Sequence, residues 1–180
     1  MRLPFLKHLV DSVSALCAPK RIIILGSSSL LPLLPQLGDP GQPLEVSLDA
    51  DLLIDPIDQS TADMLEEAIG NESLFEKRHG YHADILRPTI GEALPSGWES
   101  RLHSVAGYAN VFALDVYDLA LVKLTIGREK DLNLLRALLK TKIIEPARLR
   151  KHYHDCPLGE REAVAAGRNL QLLLQELEMS

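Results

Sequence analysis

The sequence predicts an α/β fold: a small mixed sheet flanked by helices, followed by a helical C-terminal part. Three observations lead there. Short apolar, β-branched runs alternate with helix-periodic stretches over the first two thirds of the chain, nearly everything after Asp115 is helix-compatible, and an acidic pair, Asp49 and Asp51, opens one of the apolar runs. The expected organisation is a core over residues 1–114, with a helical region over 115–180 packed on it.

Taken in order, Leu3, Leu6, Val10, Val13 and Leu16 fall near helical spacing and predict a first helix over about 4–18, ended by Pro19. Arg21 to Leu25 is a β-branched run between Pro19 and Gly26, as expected of a buried strand. Ser27-Ser28-Ser29 offers hydroxyls for the start of a second helix, and the proline- and glycine-rich stretch from Pro32 to Pro43 is loop. Val46 to Ile54 predicts the second strand, closed by Asp55-Pro56.

Ser60 and Asp63 resemble a capping box, opening a helix that Gly70-Asn71 stops. Leu74 to Arg78 is expected to form a strand turning at His79-Gly80 into another, Tyr81 to Leu86. In that second strand Asp84 shares a face with His82. A short strand is expected over Val111 to Ala113. Asp115 and Asp118 read as caps of the helix ending near Ile126. Further helices are expected from Lys130 to Leu139, Pro146 to His154 and Gly159 to Glu178.

Composition bounds the function. Hydrophobic residues make up 46% of the 180 and charged residues 24%, as in ordinary globular proteins. No apolar run is long enough to cross a bilayer, and Pro4, Lys7, His8 and Asp11 interrupt any secretory pattern, so the expectation is a cytoplasmic protein without a membrane partner. The net charge of −6 neither selects nor excludes an RNA substrate. Cys17 and Cys156 lack a Cys or His partner at zinc spacing and read as packing residues, and His152 with His154 reads as exposed.

The chemistry lies in a few carboxylates. Side chains at i and i+2 of a strand point to one face, so Asp49 and Asp51 stand side by side and repel unless a cation lies between them. A hard divalent ion such as Mg2+ suits such a donor pair. Gly26 lets the backbone turn tightly and approach a ligand, and Ser27 with the amides after it can donate to phosphate oxygens.

Gly26-Ser27 after one strand, Ser47-x-Asp49-x-Asp51 on a second and Asp84 on a later one resemble the polymerase-beta-type nucleotidyltransferase superfamily. Downstream, Asp118 to Leu124 with Gly127-Arg128-Glu129-Lys130-Asp131-Leu132 resembles the helical segment of AbiEii-type nucleotidyltransferase toxins and their uncharacterised relatives.

The resemblance implies that Asp49, Asp51 and Asp84 hold Mg2+, with Mn2+ as the alternative, and that Asp84 also helps deprotonate an attacking hydroxyl. It implies that Gly26, Ser27, Lys123, Arg128 and Lys130 bind the nucleoside triphosphate, with Asp131 orienting Lys123. On an unbroken helix Lys123 and Lys130, seven residues apart, would differ in direction by only about 20°. The implied reaction moves a nucleotidyl group from the triphosphate to a hydroxyl of RNA, protein or a small molecule, in a protein that could pair with an antitoxin. One departure stands out: 21 residues separate Ser27 from Asp49, more than is usual in the superfamily. It favours the alternative of a nucleotidyltransferase fold that has lost turnover and serves as a binding module. A third reading is a helical scaffold with an incidental acidic pair.

Overall fold

A computed structural model describes residues 1–179, which divide into two compact units. The first comprises 1–93 and 102–114, and the second 94–101 and 115–179. The architecture is the mixed α/β class, with a five-stranded sheet in the first unit.

The first unit opens with helix α1 (Leu3–Cys17), which buries Leu6, Leu9, Val10 and Val13. Leu9 takes the inward place expected of Leu16, which is 45% exposed, because the stripe at positions 6, 9, 10 and 13 closes without it. Strand β1 (Arg21–Ile24) follows and lies centrally in the sheet. Its three isoleucines are wholly buried. Ser27–Leu30 makes a single 3-10 turn where an α-helix was expected. The hydroxyls of Ser28 and Ser29 fold back onto the carbonyls of Leu25 and Gly26, competing with a longer helix.

Strand β2 (Asp49–Asp55) begins three residues later than expected. The chain before it is a succession of turns, with Glu45 N–H bonded to the Gln42 carbonyl and Ser47 N–H to that of Leu44. Val46 is consequently left 83% exposed. Helix α2 (Gln59–Ile69) is capped by Asp58, whose side chain accepts from Thr61 N–H, rather than by Ser60.

Leu74–His79 is helix α3, and not the strand that was expected. Ser73 caps it by accepting from the Glu76 amide, while Glu76 reaches back to the N–H of Glu72. Gly80 then ends it in the left-handed conformation. This S-x-x-E start outweighs the local apolar content. Strand β3 (His82–Leu86) comes next, then a two-residue strand β4 (His103–Ser104), which the sequence reading did not anticipate, and β5 (Val111–Ala113).

The sheet order is β3-β2-β1-β5-β4. β2 runs parallel to β3 and antiparallel to β1, β1 runs parallel to β5, and β5 antiparallel to β4. Ala50, Leu52 and Ile54 point to the buried face of β2, so by strand alternation Asp49 and Asp51 share the other.

The second unit is helical: α4 (Val116–Ile126), α5 (Glu129–Lys140), α6 (Pro146–Asp155) and α7 (Glu160–Glu178). Asp115 caps α4 by accepting from Tyr117 N–H. Gly127 ends α4 at φ +66°, and Asn169 of α7 donates to the last-turn carbonyl of Leu124. Leu119, Leu124, Leu135, Leu138, Leu149, Ala166 and Leu173 form its core. Among the described residues no helix is long and apolar enough to cross a membrane.

Candidate functional site

Sheet register assembles the acidic group. Because β2 and β3 run parallel, Asp51 lies opposite Asp84 and Asp49 opposite His82. One carboxylate oxygen from each of Asp49, Asp51 and Asp84 lies within 4.8 Å of the others, and all three residues are half-buried. Three like charges at that range raise each other's energy, and a cation between them reverses the sign of the interaction. An all-oxygen set of carboxylates is the donor chemistry of Mg2+ or Mn2+. Ser47 holds Asp49 by donating from its hydroxyl at 3.2 Å.

Gly26 sits under this group. Its backbone, at φ +56° and ψ −162°, occupies a region open essentially to glycine alone. A Cβ built there would fall 1.8 Å from Oδ2 of Asp51, so the missing side chain is what admits the carboxylate. The Leu25 N–H bonds the Asp51 carbonyl at 2.8 Å and ties the end of β1 to this point of β2. Ser27, half-buried, begins the 3-10 turn next to Gly26.

His82 adds a neighbour that the sequence reading gave no role. Its Nε2 lies 3.4 Å from Oδ1 of Asp84 and its Nδ1 2.7 Å from Oε1 of Glu76. The second approach is not aligned as a hydrogen bond. The capping motif around Ser73 and Glu76 was the signal that could have located this contact.

The downstream candidates fall in the second unit. Lys123 and Lys130 are not on one unbroken helix, because Gly127 separates α4 from α5. The Lys123 ammonium, buried, donates to Oδ1 of Asp131 at 2.6 Å, and Arg128 donates to Oδ2 at 2.7 Å. Burial pushes the Asp131 carboxyl up, but the hydrogen bonds from Arg128 and Lys123 outweigh it and hold the group below the usual carboxylate range. Lys130 lies exposed on the first turn of α5.

The same unit holds a cluster that sequence reasoning missed. Asp118, expected to cap α4, is fully buried and accepts from Arg101 at both oxygens, 2.9 Å from Nε and 2.8 Å from Nη2. His152 donates from Nε2 to Oδ1 at 2.8 Å and is 14% exposed, correcting the expectation of a solvated histidine. Burial favours a neutral Asp118 carboxyl, but the His152 and Arg101 hydrogen bonds prevail and lower it. Cys156, four residues after His152, has its Sγ 3.7 Å from Nε2, so it does have a histidine partner. The spacing of four between His152 and Cys156, across the end of α6, was the overlooked signal.

A family described as "Nucleotidyltransferase of unknown function (DUF6036)" matches residues 3–165. The chain belongs to this family. No curated protein and no solved structure matches it. In this nucleotidyltransferase family member the matched region includes the acidic group on β2 and β3, the Gly26 turn and the Lys123 to Asp131 segment.

Proposed function

We propose that the protein transfers a nucleotidyl group from a nucleoside triphosphate to a hydroxyl acceptor on RNA, protein or a small molecule. The observation that carries this reading is the position of the Asp51 carboxylate over the side-chain-free Gly26, with Asp49 and Asp84 contributing oxygens within 4.8 Å. The donors are all carboxylate oxygens within 4.8 Å of one another, so the residues fit a hard divalent ion. Asp49, Asp51 and Asp84 would hold Mg2+ or Mn2+, which supplies charge neutralisation for the triphosphate and for the leaving pyrophosphate.

The chain's own groups have distinct parts. The Ser27 hydroxyl and the backbone amides of the turn that Gly26 opens would donate to phosphate oxygens. Asp84, with 44% of its side chain exposed, would take the acceptor's proton. The acceptor oxygen then bonds to the α-phosphorus, the bond from that phosphorus to the bridging oxygen breaks, and pyrophosphate leaves. In the second unit, Asp131 fixes Lys123 and also accepts from Arg128. Positioning and fixed charge supply most of such catalysis.

The likeness of the Asp118 to Leu132 segment to AbiEii-type toxins supports a toxin that pairs with an antitoxin. Growth arrest on expression, absent in Asp51→Ala, is the outcome this predicts. The long excursion after Ser27 and the single 3-10 turn there support a second reading, a binding module without turnover. Calorimetry with Mg2+ and each triphosphate, run alongside transfer of radiolabel from α-labelled triphosphates to cellular RNA and protein, separates the two. The enzyme reading requires metal-dependent binding and label transfer, both lost in Asp49→Ala and Asp51→Ala. Binding without transfer favours the module, and loss of neither function in the variants rejects the site.

A further inference from the structure

The geometry points to a second metal site, formed by Asp118, His152 and Cys156 within the helical unit and selective for a thiophilic divalent ion such as Zn2+. One donor atom from each residue lies within 4.8 Å of the other two. His152 lies in the last turn of α6 and Cys156 caps its C-terminus, with its N–H on the His152 carbonyl, while Asp118 comes from the first turn of α4. Sulfur, imidazole nitrogen and carboxylate oxygen are a donor set for zinc and a poor one for Mg2+. Zinc bonds of about 2.0–2.3 Å put tetrahedral ligand atoms roughly 3.3–3.6 Å apart. The Sγ to Nε2 separation of 3.7 Å is already near that edge. The Nε2 to Oδ1 separation of 2.8 Å is shorter because a proton lies between the atoms, and replacing that proton by the ion opens the pair by about half an ångström.

The charges close as well. A carboxylate and a thiolate cancel a divalent ion, and Arg101 keeps partners of its own, Ser96 and Pro95 carbonyls together with Oδ2 of Asp118. Its Nε bond to Oδ2 orients the ligand carboxylate, and its Nη2 also donates at 2.8 Å to Oδ1, the oxygen that faces His152. Burial keeps the Cys156 thiol protonated without metal. On uptake that proton passes to solvent, and the imidazole binds through Nε2 with its proton on Nδ1. The site shares no residue with the Asp49, Asp51 and Asp84 group and does not depend on nucleotidyl transfer.

Co2+ is the probe, added to the full reduced chain with Mg2+ in excess to occupy the acidic group. A thiolate-to-cobalt charge-transfer band saturating at one equivalent is expected. The band should persist in Cys17→Ser and Asp49→Ala and disappear in Cys156→Ser and His152→Ala. Since Cys156 is buried and its variant could unfold, the decisive measurement is zinc X-ray absorption on Cys17→Ser, where Cys156 is the sole thiol. One sulfur in the zinc shell, with nitrogen and oxygen, supports the site. A shell of oxygen and nitrogen alone, or a cobalt band that survives Cys156→Ser, overturns it.

Discussion

The Asp51 carboxylate lies where Gly26 would carry a side chain, with its Oδ2 only 1.8 Å from the position of a Cβ. Gly26→Ala therefore forces the carboxylate aside and also places alanine at φ +56°. Strain of this kind costs on the order of 1–3 kcal/mol. The expected result is a lower melting temperature together with a loss of Mn2+ binding by calorimetry. Retention of wild-type Mn2+ affinity would show that Asp51 is not held for a cation.

The three clustered carboxylates make opposite predictions with and without metal. Without it, Asp84→Asn removes a repulsive charge and should leave thermal stability unchanged or raise it, by about 1 kcal/mol at most. With Mg2+, the wild type should gain stability by ligand binding and the variant should not. Thermal melts with and without Mg2+ test this, and equal metal-induced shifts in the two proteins would count against Asp84 as a ligand.

Lys123 and Asp131 form a buried ion pair 2.6 Å apart. Lys123→Met leaves Asp131 with only the exposed Arg128, and Asp131→Asn leaves Lys123 buried without a compensating charge. Each should cost about 3–5 kcal/mol. The double variant should be more stable than either single one, since an apolar pair avoids the desolvation cost. Urea unfolding of the four proteins measures it, and strictly additive losses would contradict the coupling.

Acid should destabilise the second unit through Asp118 and Asp131. Both carboxyls are held below their ordinary range in the folded state, Asp118 by His152 and Arg101, and Asp131 by Arg128 and Lys123, against burial that acts the other way. Their contribution is fully present above the unfolded value near pH 4 and is lost as pH falls through the lower folded values. Denaturant unfolding between pH 5 and about pH 2 should show a steep loss of stability that Asp118→Asn makes shallower. An unchanged slope in the variant would remove Asp118 from the linkage.

What was legible in the sequence was periodic or local. The i, i+2 spacing of Asp49 and Asp51 and the alternation around Asp84 each placed a carboxylate on a strand face, and the faces proved to be the same one. Asp131 was read as a partner of Lys123 on helical geometry. Their contact is made across the Gly127 break instead, eight residues apart in sequence. Leu74 to His79 was misread because a short apolar run does not distinguish strand from helix, whereas the Ser73 cap did. His152 was read as solvated because nothing within a turn of it reveals Asp118, 34 residues earlier.

By itself, the sequence determined the α/β class and the strands that carry the acidic residues, because spacing along a strand or helix sets which side chains share a face, and its motifs carried the resemblance to nucleotidyltransferases. Only the tertiary structure decided that Asp84 lies opposite Asp51, that Gly26 yields its side-chain space to a carboxylate, and that Asp118 is bound by Arg101 and His152 rather than capping a helix. Those relations depend on strand register and on packing between distant segments, where burial and charge pairing select partners that no local repeat encodes.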